Sequence, residues 1–171
     1  MIFEEVQGPP KTAKRLLMWV ALINLCFVAG VIAITQLDAN TADPSACWVV
    51  GAIFIITLWL GVLFMRSKMY ITVSSADIRV RMSPFHRKGK LIKWADVHHC
   101  VVRACTPFGE FGGWGIRYTF GKKKGYIWNG DYCLDLYMKN GKRNIVTVMD
   151  ADDLAEFLTK AELPFEDKCE K

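Results

Sequence analysis

The residues with the most chemical potential in this chain are basic. Lys122, Lys123 and Lys124 stand together in a Gly-Lys-Lys-Lys-Gly run, and Arg87, Lys88 and Lys90 crowd an earlier stretch. Ammonium and guanidinium groups at that density attract phosphate, so these six are candidates for contact with anionic lipid headgroups. The plainer alternative is a solvated face. Nucleic acid is not an expected partner, because single-strand binders interleave exposed aromatics with their cations and none is evident beside these lysines. Trp114 and Arg117 are a second candidate: an aromatic anchor beside an arginine suits a protein partner. They serve equally well as structure, the indole packing over a core and the guanidinium bracing a nearby carboxylate or carbonyl.

Catalytic chemistry has little to build on. There is no Walker sequence, no GxSxG, no HExxH and no GxGxxG between a strand and a helix. Gly109, Gly112, Gly113 and Gly115 resemble a phosphate loop in composition, but they lead into a strand and lack a helix dipole behind them. His98 and His99 are adjacent, and regular strand geometry aims neighbours at opposite faces, which prevents shared metal ligation. Asp96 and Glu110 would be a carboxylate pair only in a pocket with a nucleophile, and no such pocket is evident. The cysteines at 26, 47, 100, 105, 133 and 169 include no CxxC pair, and all six read as free thiols of a reducing compartment. Hence no catalytic residue, metal ligand or cofactor site is nominated, and the chain is not expected to be an enzyme.

The elements that must position these groups fall into two halves. Apolar residues make up 52% of the chain and charged ones 23%, with the apolar residues concentrated before Arg66 and the charges after it. Residues 16–37 and 46–65 are two nearly unbroken apolar runs, with Asn24 and Thr57 as internal polar interruptions. At about 1.5 Å per residue each run reaches about 30 Å, enough to cross a bilayer core. Trp19, Trp48 and Trp59 lie nearer the ends than the centres, as interfacial aromatics do. Lys11, Lys14 and Arg15 precede the first run, Arg66 and Lys68 follow the second, and the intervening loop carries only Asp38 and Asp43. The positive-inside rule then places both termini in the cytoplasm of a multi-pass inner-membrane protein. Two rivals exist: a cleaved signal peptide, for which the run is too long, and a buried hairpin of a soluble protein, which would need every helix face covered. Asn24 is expected to hydrogen-bond to the neighbouring helix.

Beyond Lys68 the apolar period becomes two. Residues 70–73, 78–82, 97–105, 115–120, 132–138 and 143–149 read as strands, with 91–94 joined to its predecessor by a basic connection at 85–90. Residues 121–125 read as a hairpin tip, and Asn140-Gly141 as a two-residue type I′ turn. Asp150 caps a closing helix whose apolar face is Leu154, Phe157, Leu158 and Ala161, and Pro164 ends it. This predicts about seven strands in a barrel or sandwich closed by one helix. The organisation expected is a tail at 1–15, a hairpin at 16–65, a β domain at 66–163 and a tail at 164–171.

The Trp-Ala-Asp-Val element at 94–97, and above all the Gly-Gly-Trp-Gly-Ile-Arg run at 112–117 followed by Gly141-Lys-Arg and a final helix, carry a resemblance. The chain is similar to small bacterial membrane proteins with a two-helix transmembrane hairpin and a cytoplasmic pleckstrin-homology-like (PH-like) domain. The resemblance covers roughly residues 14–163 and implies the fold: an α+β membrane protein with a PH-like antiparallel β-barrel or sandwich. It implies no activity. The function expected is a non-enzymatic, membrane-anchored module that engages the inner-leaflet lipid surface, a protein partner or a second copy. The alternative is an accessory subunit of a larger membrane complex or transporter.

Overall fold

The computed structural model describes residues 2–37, 44–119 and 122–168. The chain divides into two compact units, one of Pro9–Arg66 and the other of Met1–Gly8 with Ser67–Lys171. The first holds two helices, α1 (Lys11–Leu37) and α2 (Pro44–Met65). Both are long and apolar enough to cross a membrane, and their apolar windows are 0% buried. Trp19, Ile23, Phe27, Trp48 and Ile55 all stand exposed. Asn24 does not reach the neighbouring helix as expected. Its Nδ2 donates to the Val20 carbonyl one turn back at 2.9 Å, and Thr57 Oγ1 donates likewise to Ile53 at 2.8 Å. Each helix thus satisfies its own polar group.

The second unit is built on two sheets and is not a closed barrel. The first sheet has the order β1–β2–β3–β4, antiparallel throughout, formed by Ile2–Gln7, Lys68–Ser74, Asp77–Ser83 and His86–Lys93. Strict alternation buries Met69, Ile71, Val73, Ile78, Val80 and Met82 while their neighbours face outward. A single 3₁₀ turn, Trp94–Asp96, then leads to the second sheet.

That sheet contains β5 (Val97–Ala104), β6 (Gly115–Thr119), β7 (Lys123–Ile127), β8 (Tyr132–Met138), β9 (Arg143–Val148) and β10 (Phe165–Lys168). Their order is β10–β5–β8–β9–β7–β6, antiparallel except for the β10/β5 and β7/β9 pairs. A short helix α3 (Pro107–Phe111) lies between β5 and β6, and α4 (Ala151–Lys160) follows β9. Asp150 accepts from the Asp153 N–H at 3.1 Å, the expected cap, and Leu154, Phe157 and Leu158 are buried.

Several boundaries differ from expectation for identifiable reasons. Residues 2–7 are not a tail: they pair with β2 across the whole helical insertion, Gln7 opposite Met69. Residues 165–168 are not a tail either, because β10 adds to β5 after Pro164. The basic connection at 86–90 is itself part of β4, and Lys123, Lys124 and Gly125 belong to β7 and not to a hairpin tip. The Asn140-Gly141 turn is not type I′. Of the two only Gly141 has positive φ (75°), and the Met138 N–H donates to the Lys142 carbonyl at 2.8 Å, closing a three-residue loop around a left-handed glycine. The Asn140 Oδ1 accepts from the Lys142 N–H at 3.0 Å and locks that loop.

Candidate functional site: a lysine-lined groove

Parallel pairing of β7 with β9 decides where the lysines go. It sets Lys123 beside Arg143 and Lys124 beside Asn144, so the loops that precede the two strands emerge at the same end of the sheet. The Arg143 N–H donates to the Lys122 carbonyl at 3.2 Å, and the Lys139 N–H donates to the Asp96 carbonyl at 2.9 Å. Three chain segments are thereby stitched together by backbone. With β4 they surround a groove of about 620 Å³.

Among the described residues, Lys90, Lys122, Lys123, Lys124, Lys139 and Lys142 line this groove, with Asp96 as the single carboxylate. Six cations against one anion leave an excess of five, as large as the formal net charge of the whole chain. Tyr118, Asn140 and Asn144 supply neutral polar edges. Lys124 is the most constrained cation: its Nζ lies 4.9 Å from the Tyr118 ring centre and 5.0 Å from that of Tyr126. Burial pulls the Lys124 ammonium down, but its contacts with the two tyrosines outweigh that and hold it above the ordinary lysine value. It is therefore fully charged at neutral pH. Burial also raises Tyr126, whose hydroxyl stays protonated.

Of the six basic residues nominated from sequence, Lys90, Lys122, Lys123 and Lys124 meet here. Lys88 is exposed outside the groove, and the Arg87 side chain lies outside the described residues. Lys139 and Lys142 were legible only as turn residues. The absence of an exposed aromatic among the lysines does not hold: Tyr118 is 76% exposed in their midst. Trp114 and Arg117 are not part of the groove. Trp114 is half-buried and Arg117 exposed, and along β6 Arg117 alternates with Tyr118, which faces the lysines.

Arg103 is an arginine that the structure shows bracing carboxylates. Its guanidinium meets Glu110 in a two-pronged pair at 2.9 and 2.6 Å, and its Nε donates to Asp135 at 2.8 Å. Arg143 donates to the same oxygen of Asp135, which is wholly buried. Two cations and two anions balance, which makes this network structural in character. The Arg103 hydrogen bond holds Glu110 below the ordinary carboxylate range, and the same bond raises Arg103. Glu110 is thus committed to Arg103, while Asp96 lies among the lysines.

Two further expectations are corrected along β5 and its partner strand. A bulge between Val97 and His99 breaks the strand alternation, so the Nδ1 atoms of His98 and His99 come within 2.9 Å of each other. His99 also stacks on Tyr137 at 4.3 Å. Among the described residues no group of three or more His, Cys, Asp or Glu is placed to hold a metal ion. Cys105 and Cys133 are not free thiols but form a disulfide, packed with Ile127, Ile145 and Phe111. Their separation of 28 residues left no local sequence signal. Cys26 and Cys100 are free, and burial pushes the Cys100 thiol up to about 12, so it is inert.

The groove's charge and shape suit an anion, and its described lining residues include no nucleophile–base pair. No protein-family model matches this chain, and no curated protein matches it.

Proposed function

We propose that this chain is a membrane-anchored, non-enzymatic binding module. Helices α1 and α2 cross the inner membrane as a pair, and the β domain, PH-like in kind, works at the cytoplasmic face. There it engages the anionic inner-leaflet surface, and its Trp114 side is left for a protein partner or a second copy. One observation carries this reading: a domain with a groove holding six lysines against one carboxylate is interrupted, between two paired strands, by two uncovered apolar helices. A charge excess of that size is attracted to phosphate-bearing surfaces, and each lysine near such a surface is worth about 1 kcal/mol. Anchoring itself needs none of that energy, so the lysines are free to orient the domain.

The test uses the full chain in nanodiscs of phosphatidylcholine, with and without phosphatidylglycerol. Hydrogen exchange at residues 122–124 and 139–142 should slow in the anionic discs. Identical exchange in both would remove lipid-surface contact, and release of the chain from native membranes by alkaline carbonate would remove the anchor.

A second reading, with the domain on the opposite side, has one observation in its favour. The Cys105–Cys133 disulfide suits an oxidising compartment and not the cytoplasm. The distribution of Lys and Arg around the helices opposes it.

A further inference from the structure

We propose that the lysine groove is a discrete site for a compact anion carrying several phosphates, and not merely a region of diffuse positive charge. This deepens the surface-binding reading and rests on it only in taking the β domain to be a binding module.

The groove is concave and of ligand size: about 620 Å³ falls within the roughly 300–1,000 Å³ that small-molecule sites occupy. It is also built, not scattered. Its lysines come from β4, from the segment around β7 and from the loop before β9, and the last two are tied by the Arg143–Lys122 backbone bond. Lys124 is held against two tyrosine rings, so part of the rotamer entropy that binding would cost is already lost.

The cations suit phosphate. All six are lysines, compact three-donor point charges that can approach the oxygens of several tetrahedral phosphates from different sides. Packing six like charges around one groove is unfavourable until an anion enters, so a ligand with several charges relieves more repulsion than one phosphate can. A single-stranded nucleic acid fits less well. Among the described residues Tyr118 is the one aromatic lining the groove, and Lys124 already sits over its ring; strand binders use successive aromatic platforms.

Two sources offer this chemistry, a phosphorylated lipid headgroup and a soluble polyphosphate, and one experiment separates them. Full-length protein in phosphatidylcholine nanodiscs is titrated with inorganic tripolyphosphate and with orthophosphate. Tripolyphosphate should bind at least about tenfold more tightly. Lys122→Gln, Lys123→Gln and Lys124→Gln together should weaken it, each by roughly fivefold, the factor equivalent to about 1 kcal/mol per lysine. Lys139→Gln with Lys142→Gln, on an exposed turn, should repeat the loss by an independent route. Arg79→Gln, Lys88→Gln and Lys93→Gln, which remove equal charge outside the groove, should not.

If cardiolipin in the discs, whose headgroup carries two phosphates, lowers tripolyphosphate affinity in the parent but not in the triple-lysine variant, the headgroup is the natural source. If affinity is indifferent to it, the source is soluble, and the lipid-surface reading fails while the site stands. The site is overturned if the control variant weakens binding as much as the groove variants, or if neither phosphate binds. It is also overturned if oligothymidylate binds more tightly than tripolyphosphate and loses that advantage in Tyr118→Ala.

Discussion

The side-chain amide of Gln7 donates a 2.8 Å hydrogen bond to the carbonyl of Thr147, which lies 140 residues further along the chain. Its oxygen accepts from the Asn129 N–H at 3.0 Å, and the residue is completely buried. Nearby, Glu5 accepts from the N–H groups of Met149 and Asp150 at 3.0 and 3.3 Å. The strand that precedes the helical hairpin is therefore an integral link between the two sheets. Without β1 the buried Thr147 carbonyl and the part-buried Asn129 N–H would both lose these partners.

Gln7→Ala should consequently destabilise the β domain by about 3 kcal/mol, since each orphaned buried group costs about 1–3 kcal/mol. Denaturant unfolding of the full chain followed by tryptophan fluorescence reads this directly. An unchanged midpoint would show that β1 is dispensable.

Phe157 on α4 packs against Phe3 of the same strand, with ring centres 6.4 Å apart. Phe157→Ala should cost about 3–5 kcal/mol, the usual range for emptying a buried aromatic site. Phe3→Ala should cost less, since Phe3 is only half-buried. The double variant should lose less than the sum, because the two rings share one contact. Strict additivity would mean that α4 and β1 are held separately.

These contacts show which parts of the fold were legible. The strands β2, β3, β8 and β9 and the capped α4 declare themselves by apolar spacing and by Asp150, because their partners are neighbours in sequence. Residues 2–7 (Ile-Phe-Glu-Glu-Val-Gln) show no apolar–polar alternation, Ile2 and Val6 being exposed and Gln7 buried, and their partner lies beyond two helices, so they read as a tail. The same limit hid the groove. Lys122, Lys123 and Lys124 signal anion contact by density alone, yet Lys139 and Lys142 join them only through the parallel β7/β9 pair, which no local pattern encodes. The disulfide and the His98–His99 contact likewise depend on pairing and on a bulge.

The Arg103–Glu110 pair makes stability pH-dependent in a defined direction. Glu110 is held below its ordinary value of 4.5 when folded, so its contribution is complete above that pH and is lost as pH falls through the lowered value. With the Glu110 side chain 35% exposed, solvent screening limits the effect to under about 1 kcal/mol. Glu110→Gln should therefore lower the unfolding midpoint at neutral pH but leave it nearly unchanged once pH has fallen below the lowered Glu110 value, where the parent has lost the same charge. Equal losses at both pH values would assign the effect to packing and not to the ion pair.

Topology brings the hairpin, the paired strands and the disulfide into one measurement. Because β1 and β2 are hydrogen-bonded neighbours, the chain must leave and return on the same side of any bilayer that α1 and α2 cross. Glu4→Cys on β1 and Asn140→Cys on the loop before β9 should thus label together, and Ala42→Cys between the helices should label from the opposite side. With both termini cytoplasmic, an impermeant maleimide applied outside should reach only Ala42→Cys. Differing sidedness for the Glu4 and Asn140 probes would refute the membrane crossing itself, since the two sites belong to one compact unit. Outside labelling of both would invert the orientation and place the Cys105–Cys133 disulfide where oxidation is expected. If the cytoplasmic orientation holds, alkylation of protein quenched in acid should find these two thiols largely reduced in cells and oxidised only after lysis in air. Removing the bond by Cys105→Ala with Cys133→Ala would then leave function in the cell intact while lowering the stability of air-oxidised protein by about 2–5 kcal/mol. A disulfide that survives acid quenching in a domain shielded from outside label would instead mark it as a buried linkage beyond the reach of cytoplasmic reductants, packed as it is beneath Phe111.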